Sequence, residues 1–351
     1  MTVHALLPWP DAARRGAFER WIGPLAARHR IELDTLAPAS ADASFRRYLR
    51  VQAGGATNGS FVIMDAPPAR EDVRPFIKVA QLAEAAGLNT PRVVEADVGQ
   101  GFLLLSDLGR RPYLDALRAA TPAEADRLMR DALQALVRWQ SAVPWVDLPR
   151  HDQARIEDEL ALFPEWCVKR EFGIEWNAAQ QAAWQRLVKL LAASALAEPV
   201  VAVHADFMPR NLMVCEPGRP GVLDFQDALA GALSYDLASL LRDAFISWSE
   251  AQEIDWAVRY WELARRAGLA VPADFADLWR AHEWMGLQRH LRVMGVFCRL
   301  KHRDGKPHYA ADLPRFFDYA TRVALRYAPL SPLLRLLEPM SGKMVGSGFT
   351  F

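Results

Sequence analysis

The stretch that decides the fold is "VHADFMPRNLMV", residues 203–214. Apolar, strand-forming residues stand at both of its ends, and His204, Asp206 and Asn211 interrupt them. A second short apolar run ends at Asp224, thirteen positions after Asn211. A buried strand needs no such polar interruption, because its run is apolar throughout. The pattern therefore predicts two short strands that carry a polar loop between them.

The residue types in this loop indicate phosphoryl transfer. H-x-D-x-x-x-x-N followed by D-F is the spacing of a kinase catalytic loop and its metal-binding turn. A carboxylate such as Asp206 can take or orient the proton of an acceptor hydroxyl. Magnesium prefers oxygen ligands, commonly a carboxylate with an amide oxygen, phosphates and water, which suits Asn211 and Asp224. Each residue alone is also typical of a turn, but the joint pattern between apolar runs favours the chemical interpretation.

Length and composition indicate a folded protein with a sizeable core. The chain has 351 residues, 51% of them hydrophobic and 24% charged, with a formal net charge of zero. Zero net charge argues against broad binding to nucleic acid or to an acidic membrane. The three cysteines are too few and too scattered for a disulfide framework or a cysteine metal site. The first residues lack a long apolar run, so we expect no signal peptide, no membrane span and a cytoplasmic location.

The order of patterns along the chain predicts two lobes. Residues 10–30 have helical spacing, 44–52 and 60–65 form a hairpin pattern, and 71–87 are helical again. Two more strand runs complete a small antiparallel sheet, and beyond Gly109 the chain is mainly helical. We therefore predict an α+β fold with a nucleotide-binding lobe at 1–108 and a catalytic and substrate-binding lobe at 109–351.

Two segments resemble the aminoglycoside phosphotransferase family, which has a protein-kinase-like fold. They are "VHADFMPRNLMV" and "GVLDFQDALAGALSYDLASLLRDAF". "DASFRRYLRV", "GFLLLSDLG" and "LDFQDALAG" are similar to one branch, the anomeric sugar kinases of bacterial cell-wall recycling. The resemblance covers about residues 40–320. It implies an ATP- and Mg²⁺-dependent kinase that phosphorylates the anomeric hydroxyl of N-acetylmuramate, N-acetylglucosamine or both in peptidoglycan recycling.

The resemblance also implies roles for individual residues. Asp206 would be the catalytic base, and Asn211 and Asp224 the magnesium ligands. His204 and Asp236 would support the loop structurally.

The nucleotide side departs from the usual kinase pattern. The chain has no G-x-G-x-x-G or Walker A motif, and Met64 stands where many kinases place a strand lysine. Arginine can bind phosphate bidentately, and strand alternation puts Ser44 and Arg46 on one face, so these two are candidates for the nucleotide side. A solvated strand face is the alternative interpretation. The residues that the resemblance places at the adenine are Leu105, Ser106 and Asp107.

The acceptor is predicted from charge. Residues 281–310 contain many basic side chains and few acidic ones, which suits an anionic acceptor better than a polycation. A solvated basic face is again an alternative. The candidate acceptor-binding residues are Gln226, Asp227, Arg242, Trp284, Gln288 and Arg289.

Two further hypotheses stay open at this point. One is a kinase for another small hydroxyl compound, such as an aminoglycoside, choline or a hydroxy-amino acid. The other is a pseudokinase that binds nucleotide without transferring phosphate, and the missing strand lysine motivates it. We expect a monomer whose only partners are small molecules, with no nucleic acid and no membrane.

Overall fold

The computed structural model describes residues 9–40, 46–216 and 218–346. These residues form two compact units. The first unit comprises the described residues up to Ala116 together with Arg210–Asp227, and the second comprises Leu117–Pro209 and the described residues from Ala228 onward. The predicted division at residue 108 stays a prediction. The segment Arg210–Asp227 belongs to the first unit although it lies far along the chain.

A five-stranded antiparallel sheet forms the centre of the first unit, in the order β1-β2-β3-β5-β4. Its strands are β1 (Ile31–Ser40), β2 (Arg47–Ala53), β3 (Ser60–Asp65), β4 (Val93–Asp97) and β5 (Phe102–Ser106). Helix α1 (Ala12–His29) precedes the sheet, and helix α2 (Arg74–Ala85) connects β3 to β4. The two-residue strands β7 (Leu212–Met213) and β8 (Gly221–Val222) pair with each other in the same unit.

Helix α1 covers one face of this sheet. Asp11 begins the helix by accepting the backbone N–H of Arg14 at 2.7 Å, which satisfies an amide that the helix itself leaves unpaired. Phe18 and Ile22 share one side of the helix and are buried. They pack in one core with the alternate strand residues Leu49, Val51, Ile63 and Leu104. The neighbouring strand positions therefore belong to the opposite face of the sheet.

The second unit is mainly helical. Its only sheet among the described residues joins β6 (Val200–Val203) to β9 (Leu229–Ala232), antiparallel. Helix α3 (Tyr113–Arg118) begins in the first unit and ends in the second. The remaining helices are α4 (Pro122–Ala142), α5 (Gln153–Leu162), a π-helix at Phe163–Glu171, α6 (Ala178–Leu196), α7 (Tyr235–Leu241), α8 (Glu250–Arg266), α9 (Phe275–Asp304), α10 (Leu313–Arg326) and α11 (Pro332–Gly346). Short 3₁₀ turns lie at Trp145–Asp147, Pro209–Asn211, Pro307–Asp312 and Ala328–Leu330.

The predicted α+β class, with a small antiparallel sheet and a mainly helical remainder, is confirmed. Two strands were not predicted. In β1, Pro38 and two shifts of register break the apolar alternation by which a strand is recognised. In β9 the sequence "LAGA" is short and contains Gly231, which weakens the strand signal. No helix in the described part of the chain has the length and apolarity needed to cross a membrane.

Candidate active site

The loop that follows β6 is held by the carboxylate of Asp236. His204 donates its backbone N–H to Oδ2 at 2.7 Å, and Ala205 donates its backbone N–H to Oδ1 at 3.1 Å. Ala205 has a φ of 77°, a left-handed conformation that is unfavourable for a residue with a Cβ atom. Burial raises the pKa of Asp236 to about 7, although both backbone hydrogen bonds act in the opposite direction. The two hydrogen bonds fix the strained backbone that leads into Asp206.

His204 supports the same loop from inside the second unit. Its side chain is fully buried, with ring centroids 5.1 Å from that of Trp139 and 5.6 Å from that of Phe207. The Nδ1 atom accepts the backbone N–H of Asp206 at 3.3 Å. These contacts fit the supporting role that the sequence predicted, and that role stays a prediction.

Asp206 is partly exposed, although the residues on either side of it are buried. Its side chain is 34% exposed, whereas His204, Ala205 and Phe207 are buried. Arg289 of the same unit has its Nη2 atom 3.7 Å from Asp206 Oδ1. A carboxylate that reaches solvent from a rigid loop can contact a hydroxyl group of a bound molecule.

Asn211 and Asp224 lie together in the first unit. Strands β7 and β8 pair Leu212 with Val222, and the backbone N–H of Leu223 donates to the Asn211 carbonyl at 2.9 Å. The side chains approach each other, with Asn211 Nδ2 3.5 Å from Asp224 Oδ2. An amide and a carboxylate side by side form an oxygen donor set that suits Mg²⁺, which commonly takes one or two protein oxygens and completes its shell with phosphates and water.

The residue after Asp224 anchors this pair to helix α2. The Phe225 ring is fully buried, and its centroid lies 4.8 Å from that of Phe76. Asp224 itself has a φ of 61°, so its backbone takes the left-handed conformation at the end of β8. The aromatic contact keeps this turn in place within the first unit.

Arg46 lies among acidic groups of the same unit. Its Nε is 3.6 Å from Glu71 Oε2. Burial of the guanidinium lowers its pKa, but neighbouring groups outweigh this effect and raise it above the usual value. These groups are Tyr48, Glu71, Asp224 and Asp227. The candidate nucleotide-side cation therefore shares its surroundings with the candidate metal ligand Asp224, while its predicted companion Ser44 falls outside the described residues.

Asp107 forms a polar cluster at the end of β5. It accepts hydrogen bonds from Arg50 Nε at 2.5 Å, from Ser60 Oγ at 2.7 Å and from the Gly109 backbone N–H at 2.9 Å. Burial by itself raises the pKa of Asp107, but these donors lower it below the usual value. The Asp107 carbonyl also accepts Asn58 Nδ2 at 2.8 Å. An adenine base at Leu105–Asp107 would therefore have to share or replace some of these contacts.

A cavity of about 660 Å³ lies beside this segment in the first unit. Ser106 and Asp107 are among the described residues that line it, whereas Arg46, Asn211 and Asp224 are not. The cavity thus does not contain the groups predicted to face the phosphates.

Comparison with known proteins identifies the family. The sequence profile of the Phosphotransferase enzyme family matches residues 35–275. The chain belongs to this family. A protein of Pseudomonas aeruginosa named N-acetylmuramate/N-acetylglucosamine kinase is 50% identical over 305 residues, which cover 87% of this chain and 88% of that protein. A protein of Neisseria meningitidis with the same name is 48% identical over 315 residues, covering 89% and 93%.

A solved structure supports the same fold. The gentamicin–APH(2")-IIa complex is similar with a TM-score of 0.60 and 13% sequence identity, over 88% of this chain and 97% of that one. At this identity the likeness concerns the fold of the phosphotransferase family. The predicted resemblance to the aminoglycoside phosphotransferases with their protein-kinase-like fold is confirmed.

Four of the predicted acceptor residues of this phosphotransferase lie in the second unit, and they differ in burial and in the groups that they contact. Arg242 is buried between Glu253 Oε2 at 3.1 Å and Glu283 Oε1 at 2.9 Å, so its charge is already compensated by protein groups. Gln288 is buried, and Trp284 packs edge-on against Tyr327 with centroids 5.9 Å apart. Arg289, the fourth, contacts Ala205 and Asp206 in the loop after β6. The assignment of all four to acceptor binding stays a prediction.

The basic stretch 281–310 does not form one continuous charged wall. Helix α9 turns its residues to all sides, and several of them meet acids from elsewhere in the second unit. Arg292 Nε lies 3.6 Å from Glu159 Oε2, and Lys301 Nζ lies 2.6 Å from Glu171 Oε1. His290 is buried, and burial lowers its pKa to about 3, so it carries no charge at neutral pH. The charge argument for an anionic acceptor is weaker than the sequence suggested.

Gln226 and Asp227 lie shortly after Asp224, the predicted magnesium ligand, in the first unit. Gln226 Nε2 donates to Asp224 Oδ1 at 3.0 Å and to Asp227 Oδ2 at 3.2 Å. Gln226 thus connects the predicted magnesium ligand to the neighbouring carboxylate. This contact favours a role in orienting Asp224, and the prediction that both residues bind the acceptor is not tested by it.

Sequence reasoning missed Arg50, which the structure places on the strand face opposite α1. Alternation along β2 puts Tyr48 and Arg50 on the same face, so the signal was available. Arg50 Nη2 also donates to the Gly109 carbonyl at 2.6 Å. It therefore fixes the segment after β5 at two points.

Proposed function

We propose that the protein is an ATP- and Mg²⁺-dependent kinase that phosphorylates the anomeric hydroxyl of N-acetylmuramate, N-acetylglucosamine or both. Relatives that are about half identical over most of both chains carry these two sugars in their names. The structural observation that supports the proposal is the partly exposed carboxylate of Asp206, whose neighbours Ala205 and Phe207 are buried. These sugars occur in peptidoglycan, so we assign the reaction to its recycling.

Asp206 acts on the acceptor in this proposal. Its carboxylate accepts a hydrogen bond from the anomeric O–H and orients the oxygen toward the γ-phosphorus. The new bond forms between that oxygen and phosphorus, and the bond from phosphorus to the β,γ-bridging oxygen breaks. The electron pair leaves with ADP, and the acceptor proton passes to Asp206 and then to solvent.

Asn211 and Asp224 hold the metal in this proposal. The Asn211 amide lies beside Asp224 Oδ2, and Gln226 Nε2 donates to the other carboxylate oxygen, Oδ1. Bound Mg²⁺ would neutralise the charge that develops on the phosphate oxygens. Arg46 binds a phosphate of the nucleotide and takes the part that a strand lysine plays in other kinases.

One observation favours a nucleotide-binding pseudokinase as the second candidate. Met64, at the position of the usual strand lysine, is fully buried in the sheet and supplies no charge. The protein would then bind ATP and transfer nothing.

The deciding experiment is ADP release by purified protein with ATP and Mg²⁺ over a panel of acceptors. The panel contains N-acetylmuramate, N-acetylglucosamine, glucose, choline and kanamycin. We expect turnover with the N-acetylated sugars and an α- or β-anomeric phosphate in the ³¹P NMR spectrum of the product. Asp206→Asn should lose turnover while it still binds ATP.

Asp255→Asn is the matched control, because Asp255 is an exposed residue of α8 that pairs with Arg259. It should keep wild-type turnover. Activity with kanamycin or choline alone would replace the sugar by another acceptor. ATP binding without turnover on any acceptor would favour the pseudokinase. A cytoplasmic location and a monomeric state complete the proposal.

A further inference from the structure

Arg289 is a buried cation that reaches the catalytic loop. It lies on α9, and its side chain is only 5% exposed. The Nη2 atom donates to the Ala205 carbonyl at 3.4 Å and lies 3.7 Å from Asp206 Oδ1. The guanidinium carbon stands 5.3 Å from the centroid of the Tyr235 ring, which supports it by a cation–π contact. One side chain thus contacts both the strained residue and the carboxylate that follows it.

Arg289 interacts electrostatically with three carboxylates of the second unit. Burial raises the pKa of Asp236 to about 7 and that of Asp243 to about 6, and Arg289 opposes both shifts. Asp206 is the third acid, and it is the one within ion-pair distance. Removing the positive charge would leave the loop beside buried acidic groups without compensation.

Arg242 is a second buried arginine of the same unit, and its acidic partners are closer. It is equally buried, with a 5% exposed side chain, but two glutamates hold it at 3.1 and 2.9 Å. Arg289 has no such close pair among the described residues, and its Nε atom has no hydrogen-bond partner there. Its contacts to the loop are long, and catalytic contacts of this kind shorten when substrate binds.

We propose that Arg289 is a positioning residue for Asp206: its guanidinium holds the loop at the Ala205 carbonyl and directs the neighbouring carboxylate at the acceptor hydroxyl. This inference rests on the proposed function, because it takes Asp206 as the group that receives the acceptor proton. Arg289 is then not a ligand of the sugar, as the sequence predicted, but acts on the sugar through Asp206.

Three substitutions separate the effect of charge from that of the hydrogen bond to Ala205. Arg289→Lys keeps a positive charge, Arg289→Gln keeps a hydrogen-bond donor, and Arg289→Met keeps neither. We expect kcat with N-acetylglucosamine to fall about 100-fold in the Met and Gln variants, because misplacing one catalytic group has effects of this size. The Lys variant should keep about ten times more activity than the Gln variant. The KM for ATP should stay within about twofold of wild type in every variant.

Arg280→Gln is the control on the same helix, since Arg280 is exposed and its partner is Asp277. It should keep wild-type kcat. A Gln variant as active as the Lys variant, or a Met variant with wild-type kcat, would overturn the proposal. If neither neutral variant folds by circular dichroism, Arg289 is structural and the proposal is also overturned. A wild-type enzyme inactive on every sugar would contradict the proposed function itself, whereas an active wild type with unaffected variants would contradict only the role of Arg289.

Discussion

Asp236 accepts the backbone N–H of Ala205 at 3.1 Å, at a residue whose φ of 77° lies in the left-handed region. The Ala205 carbonyl is contacted in turn by Arg289 Nη2 at 3.4 Å. The backbone N–H and the backbone carbonyl of Ala205 are therefore both held by side chains from later helices of the same unit. A strained backbone conformation persists only where several independent contacts hold it in place. These contacts fix the backbone that leads directly into Asp206.

Replacing Asp236 by asparagine should release this loop. The amide nitrogen of Asn would face one of the two backbone N–H donors, so one hydrogen bond is lost in a buried place. We expect a loss of about 1–3 kcal/mol in the free energy of unfolding and at least a tenfold lower kcat. Urea denaturation and sugar-dependent ADP release measure the two effects. Asp255→Asn again serves as control, and an Asp236→Asn enzyme with wild-type stability would show that the two hydrogen bonds do not hold the loop.

Arg46 should affect the nucleotide rather than the sugar. Its charge lies among Glu71, Asp224 and Asp227, where a phosphate and its metal ion are proposed to bind. Arg46→Ala should raise the KM for ATP about tenfold, and Arg46→Lys should have a smaller effect because it keeps the charge without the bidentate fork. Arg15→Ala is a suitable control, since Arg15 forms an exposed pair with Glu19 in the same unit. An unchanged KM for ATP would remove Arg46 from the nucleotide site.

Glu198 should make the stability of the second unit depend on pH. Its carboxylate accepts the backbone N–H of Ser234 at 2.9 Å and the Ser234 hydroxyl at 2.7 Å, yet burial raises its pKa to about 7. The unfolded chain ionises near the usual glutamate value, so the folded protein binds more protons between about pH 4.5 and 7. The contribution of Glu198 to the free energy of unfolding must therefore fall as pH rises through this window, and it stays level above it.

The isosteric variant Glu198→Gln removes this titration. Its stability relative to wild type should increase from pH 5 to pH 8 by up to about 3 kcal/mol. Urea denaturation of both proteins at the two pH values measures the difference. If that difference were the same at pH 5 and pH 8, the carboxylate would titrate alike in the folded and unfolded chains.

The candidate site residues that a sequence can nominate are those whose signal is local. Asp206, Asn211 and Asp224 are separated by a few strand and loop positions, and short-range spacing is what a motif records. The contact between Arg289 and the Ala205 carbonyl joins residues 84 positions apart, and no spacing along the chain reveals it. Helical periodicity can sort the residues of α9 into faces, but it cannot say which face meets the loop that carries Asp206.

Charge in the sequence was misleading for the same reason. The basic residues of 281–310 are neighbours along the chain, but their acidic partners Glu159 and Glu171 come from α5 and the π-helix. Tertiary pairing of this kind removes charge from the surface without changing the composition. Strand β1 was missed because Pro38 and the register shifts hide its alternation, although the completed sheet places it beside β2.

Gly295 should be intolerant of any side chain. It lies on α9 where that helix crosses the end of α5, and an added Cβ would stand 2.5 Å from the carbonyl carbon of Leu162. Backbone atoms cannot move aside as a flexible side chain can, so the helices must separate. We expect Gly295→Ala to lower the free energy of unfolding by about 2 kcal/mol, the usual size of an overpacking effect.

The matched control is Gly16→Ala in α1. An added Cβ there meets only the terminal Nη1 of Arg20 at 3.3 Å, which can rotate away. Alanine should stabilise this helix by about 0.5–1 kcal/mol, because it restricts the unfolded chain and favours helix. The two substitutions are chemically identical, so their urea midpoints should move in opposite directions. If Gly295→Ala stabilised the protein as Gly16→Ala does, α9 would not approach α5 as closely as the structure shows.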